Sequence, residues 1–137
     1  MTHIGIDARF FGSAQGGIGR YVMEVVRACA KKDVGDFRFT LLLLKGTTIP
    51  FPLGDHINIV YTDVMWYTLR EQYALPKVYM QIGADFWHFP HWNVPLFPRV
   101  PFVLTFHDAI MFRFPRRNAS THGLFVYALK TAAAFFV

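Results

Sequence analysis

The chain has 137 residues and a mass of 15.8 kDa, the span of one ordinary domain and long enough to bury a core without disulfide or metal staples. With 53% hydrophobic and 18% aromatic residues it falls outside the disordered class; no apolar run reaches the roughly 18 uncharged residues of a spanning helix, the N-terminus lacks a signal-peptide layout, and a cytoplasmic protein is expected. A net charge of +5 and a pI near 9.6 suit an anionic partner, but the basic residues are scattered except at 113–117, too thin a cluster for a nucleic-acid stripe, so no nucleic acid is expected.

The lone cysteine, Cys29, excludes an internal disulfide and any CxxC-type metal or redox motif. The first element is HIGID at 3–7, an apolar run ending in a polar residue, as buried parallel strands do. GSAQGGIGRY follows at 12–21, with glycine at four of its ten positions. From 18 to 32, Ile18, Tyr21, Val22, Val25 and Cys29 recur at three- and four-residue steps, while Arg20, Glu24, Arg27 and Lys31 fall on other faces; this predicts an amphipathic helix.

FRFTLLLL at 37–44 and INIVYT at 57–62 predict strands covered on both faces. KGTTIPFPLGDH between them carries two prolines and two glycines and predicts a loop. WYTLREQYALPKVYMQIG at 66–83 predicts a helix in which Pro76 either introduces a kink or opens a second short helix as its first residue. DFWHF at 85–89 and PFVLTF at 101–106 predict two further strands, separated by a proline-rich loop, and the segment 120–137, opening on Ser120 and Thr121, predicts a last helix.

This alternation is that of an α/β fold with a Rossmann-like open parallel sheet, in which ligands settle at the carboxyl ends of the strands. Three predicted strand ends carry unusual residues: the glycine loop, HFPHWN, and His107 with Asp108. All three are expected on one edge of the sheet.

The glycine loop is neither a P-loop, for want of a following Lys-Ser/Thr pair, nor a GxGxxG fingerprint. It remains a glycine-rich turn into a helix N-terminus, which attracts anions; the bland alternative is a tight turn. His107 and Asp108 place a titratable group and a carboxylate where such sheets keep their chemistry, or else Asp108 caps a turn and His107 is a satisfied neighbour. His88, His91 and His107 invite a zinc reading, but Pro90 interrupts the spacing and a fourth ligand is lacking, so no metal is expected. Trp92, beside His91 and Asn93, offers an aromatic face for a sugar or lipid.

Taken together, IGIDARFFGSAQGGIGRY, ADFWHFPHWNVP and PFVLTFHDAI resemble, in order and spacing, the N-terminal half of a family 4 glycosyltransferase with the GT-B fold, in particular its mannosyl- and glucosyltransferase-like members. The resemblance covers residues 4–114. It implies retaining transfer of a sugar from a nucleotide-sugar donor to a glycan or lipid-linked acceptor, in a cleft between two Rossmann-like domains of which the N-terminal one chiefly holds the acceptor. No cofactor is implied, since the nucleotide-sugar is a substrate.

By that resemblance, Gly16, Gly17 and Gly19, with Arg20, would lie against the donor phosphates or the acceptor. His107 would orient the transferred sugar or stabilise charge as the glycosidic bond breaks, and Asp108 would fix its loop or position it. Asp7 and Arg9, matching the D-x-R that follows the first strand, and His91, Trp92 and Asn93, matching the loop after the fourth, would lie on the acceptor side.

The resemblance also implies a second domain whose acidic motif grips the nucleotide-sugar, and no part of this sequence supplies it. Residues 1–137 are therefore expected to be an incomplete acceptor-side domain, incompetent alone, with donor contact mainly through the missing domain. A mean hydropathy of +0.27 matches unmet burial and predicts poor solubility or association.

The alternative is a non-catalytic module that uses the glycine loop to hold a phosphosugar or lipid headgroup. A nicotinamide-dependent oxidoreductase is disfavoured, because the dinucleotide fingerprint is absent and Asp63 comes too late to hold the ribose. Arg113, Arg116 and Arg117 fit either peripheral contact with anionic headgroups at the inner membrane face or plain solvation.

Overall fold

Parallel strands buried on both faces need continuous apolar runs and long crossovers, and the chain supplies both. A computed structural model describes residues 1–31 and 34–107. The expected helix at 120–137, Asp108 and the three arginines at 113, 116 and 117 lie outside the described residues.

Five parallel strands, β1 (Thr2–Asp7), β2 (Phe37–Leu44), β3 (Ile57–Thr62), β4 (Phe86–Phe89) and β5 (Phe102–Leu104), form one open sheet in the order β3-β2-β1-β4-β5. Helix α1 (Gly16–Lys31) joins β1 to β2 and helix α2 (Leu69–Ile82) joins β3 to β4. This is the α/β, Rossmann-like arrangement expected from the alternation of elements. The order of connection reverses beside β1, so the crevice at the carboxyl ends of β1 and β4 is the switch point where such sheets hold ligands.

The two faces carry two cores, and β2 divides its leucines between them. Leu41 and Leu43 join Ile6, Val22 and Val26 under α1, while Leu42 joins Leu75, Tyr79, Trp87 and Phe89 under α2. Each such side chain stabilises the fold by about 1.5–3 kcal/mol when fully buried. Parallel pairing aligns Gly5 with Trp87, and a Cβ on Gly5 would meet the Trp87 indole, so the central strand admits no side chain there.

No helix joins β2 to β3. Residues 45–56 cross as an irregular segment whose alternate side chains Ile49, Phe51 and Leu53 pack onto the α1-side core, with the Arg27 guanidinium 5.0 Å over the Phe51 ring. No helix among the described residues is long and apolar enough to cross a membrane.

Two boundaries differ from expectation for local reasons. Helix α1 begins at Gly16, inside the glycine run, after a single 3-10 turn at Ser13–Gln15. Helix α2 begins at Leu69 rather than at 66, because Thr68 is its N-cap in an extended conformation and Tyr67 has φ of 60°, which no right-handed helix accommodates. Pro76 opens no second helix; it lies buried within α2, at the cost of one backbone hydrogen bond.

Only one of the expected loop glycines is excluded from substitution by packing. A Cβ on Gly19 would sit 2.7 Å from both Phe10 O and Gln15 Cβ and closer still to Gly12 O, whereas nothing lies within 4 Å of one on Gly17. Gly19→Ala should therefore destabilise the fold by about 1–3 kcal/mol through overpacking against backbone, while Gly17→Ala leaves stability level or slightly raised by its better helix propensity. Urea unfolding of the two variants checks the contrast.

Candidate functional site

The site is built outward from the carboxyl end of β1. Asp7 closes the strand and Arg9, two residues on, folds its side chain back: Nε donates to Asp7 Oδ1 at 2.8 Å and Nη2 to Asp7 Oδ2 at 2.8 Å. The same Nη2 donates to Glu71 Oε1 on α2 at 2.7 Å, and Nη1 to the Val64 carbonyl at 3.2 Å. The Tyr79 hydroxyl donates to Asp7 Oδ2 at 2.9 Å.

Arg9 is only 2% exposed and Glu71 0%. Burial opposes the charge on Arg9, but Coulombic attraction and hydrogen bonding from Asp7, with Tyr79 and Glu71, outweigh it and hold the guanidinium above its ordinary value. Tyr79 is pushed well above the ordinary phenol range, first by burial and then by Asp7, and stays a neutral donor.

This corrects the direction in which Asp7 and Arg9 were expected to face. The side chains of the D-x-R pair turn inward into a buried ion cluster, because Glu71 and Tyr79 on α2 supply partners there. Asn93 is likewise interior, donating from Nδ2 to Glu71 Oε1 at 2.8 Å. Through these bonds the three residues tie the turn after β1 and the loop after β4 to α2.

Glu71 Oε2 accepts from the Tyr67 backbone N–H at 3.0 Å. Tyr67 holds the left-handed backbone conformation, which costs a non-glycine residue about 1–3 kcal/mol and persists only where surroundings overdetermine it. Its hydroxyl lies 2.8 Å from His91 Nε2, and burial, reinforced by Glu71, pushes its own pKa up to about 12.

His91 follows β4 and packs edge-on against Phe10, centroids 5.2 Å apart, with Trp92 5.7 Å away. His107, beyond β5, donates from Nε2 to the Pro90 carbonyl at 2.7 Å; since a carbonyl only accepts, the proton of the neutral ring resides on Nε2. The His107 ring lies 6.4 Å from His91 and edge-on to Tyr21 of α1 at 4.9 Å.

Behind them, Thr105 Oγ1 is within 2.8 Å of His88 Nε2 and 3.3 Å of the Tyr21 hydroxyl. The helix entered through the glycine loop, the loop after β4 and the end of β5 therefore meet at one edge. Gly16, Gly17 and Arg20 are exposed there at the start of α1, Gly19 is buried, and Gly16 takes φ of 66°.

Tyr21, read only as a position on the apolar face of a helix, and Tyr67, Glu71, Tyr79 and Thr105 escaped the sequence reading as residues of the site. The Thr68-x-x-Glu71 spacing is a capping-box signature, and Thr68 Oγ1 does accept from the Glu71 N–H at 3.3 Å. That signal locates Glu71 at the helix start without revealing that its carboxylate serves Arg9, Asn93 and Tyr67. Among the described residues no group of three or more His, Cys, Asp or Glu is placed to hold a metal ion.

No protein-family model, curated protein or solved structure matches this chain.

Truncating Arg9 would strand two carboxylates in the interior. Arg9→Met should cost about 3–5 kcal/mol, the usual penalty for breaking a buried ion pair from one side, read as a lower urea midpoint. Burial holds both His3 and His88 below the ordinary histidine value of 6.5, in His3 with help from Arg38. A depressed histidine contributes its stability fully above 6.5 and loses it as pH falls, because the unfolded chain takes up the proton first. The unfolding midpoint should therefore drop between pH 7 and pH 5, with a shallower slope in His88→Gln.

Proposed function

We propose that this chain is the acceptor-side, Rossmann-like part of a retaining glycosyltransferase of the family 4 type. Such an enzyme would move a hexosyl group, of the mannosyl or glucosyl kind, from a nucleotide-sugar to a hydroxyl of a glycan or lipid-linked acceptor. The observation that carries this reading is the meeting of α1's glycine-rich start, His91 and His107 at the switch-point edge of the sheet, which is where an α/β fold presents its ligands.

In this reading the donor's glycosidic bond to the nucleoside diphosphate breaks while the acceptor hydroxyl oxygen forms the new bond on the same face and gives its proton to the departing diphosphate. The exposed N–H groups at the start of α1 favour the negative charge that develops on the departing diphosphate or sits on the acceptor. His107, its Nε2 committed to Pro90 O, keeps Nδ1 as its remaining polar atom for a sugar hydroxyl. Asp7, Arg9, Glu71 and Asn93 hold the two loops in register from within. In this reading the donor's nucleotide is held mainly by a second Rossmann-like domain, so turnover needs that domain together with these 137 residues.

The test measures nucleotide-sugar hydrolysis and sugar transfer, with UDP-glucose and GDP-mannose as donors, by this chain and by the chain extended through the coding sequence downstream of it. Turnover is expected only in the extended form. His107→Ala should lower kcat there by about 10²-fold or more, the scale for losing one charge-stabilising group, and the fold-neutral Gly17→Ala should weaken binding. Absence of turnover in both forms, with phosphosugar binding to the short chain that survives His107→Ala, would overturn transfer in favour of a binding module.

A further inference from the structure

Among the contacts that hold the start of the loop after β4 are three side-chain ties. His107 Nε2 holds the Pro90 carbonyl at 2.7 Å, the Tyr67 hydroxyl holds His91 Nε2 at 2.8 Å, and Glu71 Oε1 holds Asn93 Nδ2 at 2.8 Å. Two of these ties lead back to the same carboxylate, since Glu71 Oε2 also accepts from the Tyr67 N–H at 3.0 Å.

We propose that Tyr67 is a positioning residue of the candidate site, the lever through which buried Glu71 fixes the orientation of His91 at the carboxyl edge of the sheet. The ligand that His91 would meet rests on the glycosyltransferase reading; the lever itself does not.

The choice of residue at position 67 is the argument. Helix α2 does not require a tyrosine there, because Thr68 is the N-cap and its side chain accepts from Glu71 N. A left-handed backbone is entered most cheaply by glycine or asparagine, yet φ is 60° at a tyrosine. What tyrosine alone adds is a ring long enough to bring a hydroxyl to His91, 24 residues further along the chain.

Its ring stands near-perpendicular to both Phe10 and His91, with centroids 6.4 Å from each, while Phe10 in turn stacks on Trp66 at 4.7 Å. The phenol is therefore held between two rings of the site, and its backbone is held by a carboxylate that is itself fixed by Arg9. Strain that is paid at one residue and held by a buried charge marks a preorganised contact.

The experiment uses the complete 137-residue chain with ¹⁵N- and ¹³C-labelled histidine and follows imidazole resonances across a pH titration, with His91→Gln assigning the His91 signals. In Tyr67→Phe, which removes only the hydroxyl, the His91 ring signals and titration midpoint should move while those of distant His3 and His56 stay in place. Unchanged His91 signals would overturn the proposal, and so would a common displacement of all the histidines, which would mark a general loosening of the fold.

A second measurement, on the unaltered chain, seeks cross-relaxation between the Tyr67 and His91 ring protons. It is expected to be present, and its absence overturns the contact without any variant. Neither readout needs turnover, so missing transfer activity would strike the glycosyltransferase reading and leave this one standing.

Discussion

The structure depends on one buried cation. Arg9 sits between Asp7 at the end of β1 and Glu71 in the first turn of α2, with all three side chains withdrawn from water. Moving those charges out of water is expensive, and the cost is offset only when the hydrogen bonds are complete. Here they are completed by Tyr79, Asn93 and the Val64 carbonyl. The cluster is therefore satisfied only when β1, the segment after β3, α2 and the loop after β4 have all taken their places. Apolar packing on the two faces supplies most of the stability, and the ion cluster selects which arrangement of the carboxyl-edge loops goes with it.

That division of labour explains why the edge can be chemically rich without being loose. Glycines and histidines near the carboxyl ends of parallel strands have little apolar area of their own to hold them. They are held from beneath instead. His91 is tied through Tyr67 to Glu71, His107 is tied to the Pro90 carbonyl, and Tyr21 bridges α1 to β5 through Thr105. Groups fixed in this way lose little further freedom when a ligand arrives, which is the main advantage of preorganisation in binding and catalysis.

The sheet was legible in the sequence because its strands are runs of apolar residues whose pattern is local. FRFTLLLL became β2 and INIVYT became β3 at their expected bounds. The direction of Asp7 and Arg9 was not legible. Their position after the first strand was apparent, but the partner that turns them inward, Glu71, lies 62 residues from Arg9 in the chain, and a charge pattern read within a few residues cannot find it. The start of α2 was missed for a related reason. The composition of residues 66–68 is compatible with a helix, and only the backbone bond from Tyr67 to Glu71, with Thr68 as the cap, excludes them. The convergence of three strand ends could be anticipated from topology alone, whereas the particular contacts between His91, His107 and Tyr21 required coordinates.

The helix-free crossing between β2 and β3 has a consequence of its own. A helix satisfies its own backbone internally and lies on a sheet as a rigid bar; residues 45–56 cross instead as an irregular segment anchored by Ile49, Phe51 and Leu53. Among the described residues β3 is also an outer strand, hydrogen-bonded to β2. The two flanks of the sheet thus differ in how cooperatively they are held. Local opening begins where few buried contacts and many solvated backbone bonds coincide; on this flank that describes the crossing at 45–56 rather than β3, which pairs with β2 along six residues. Val64, two residues beyond β3, gives its carbonyl to Arg9 at 3.2 Å, so an opening of this flank that reaches the end of β3 also reaches the ion cluster under the candidate site.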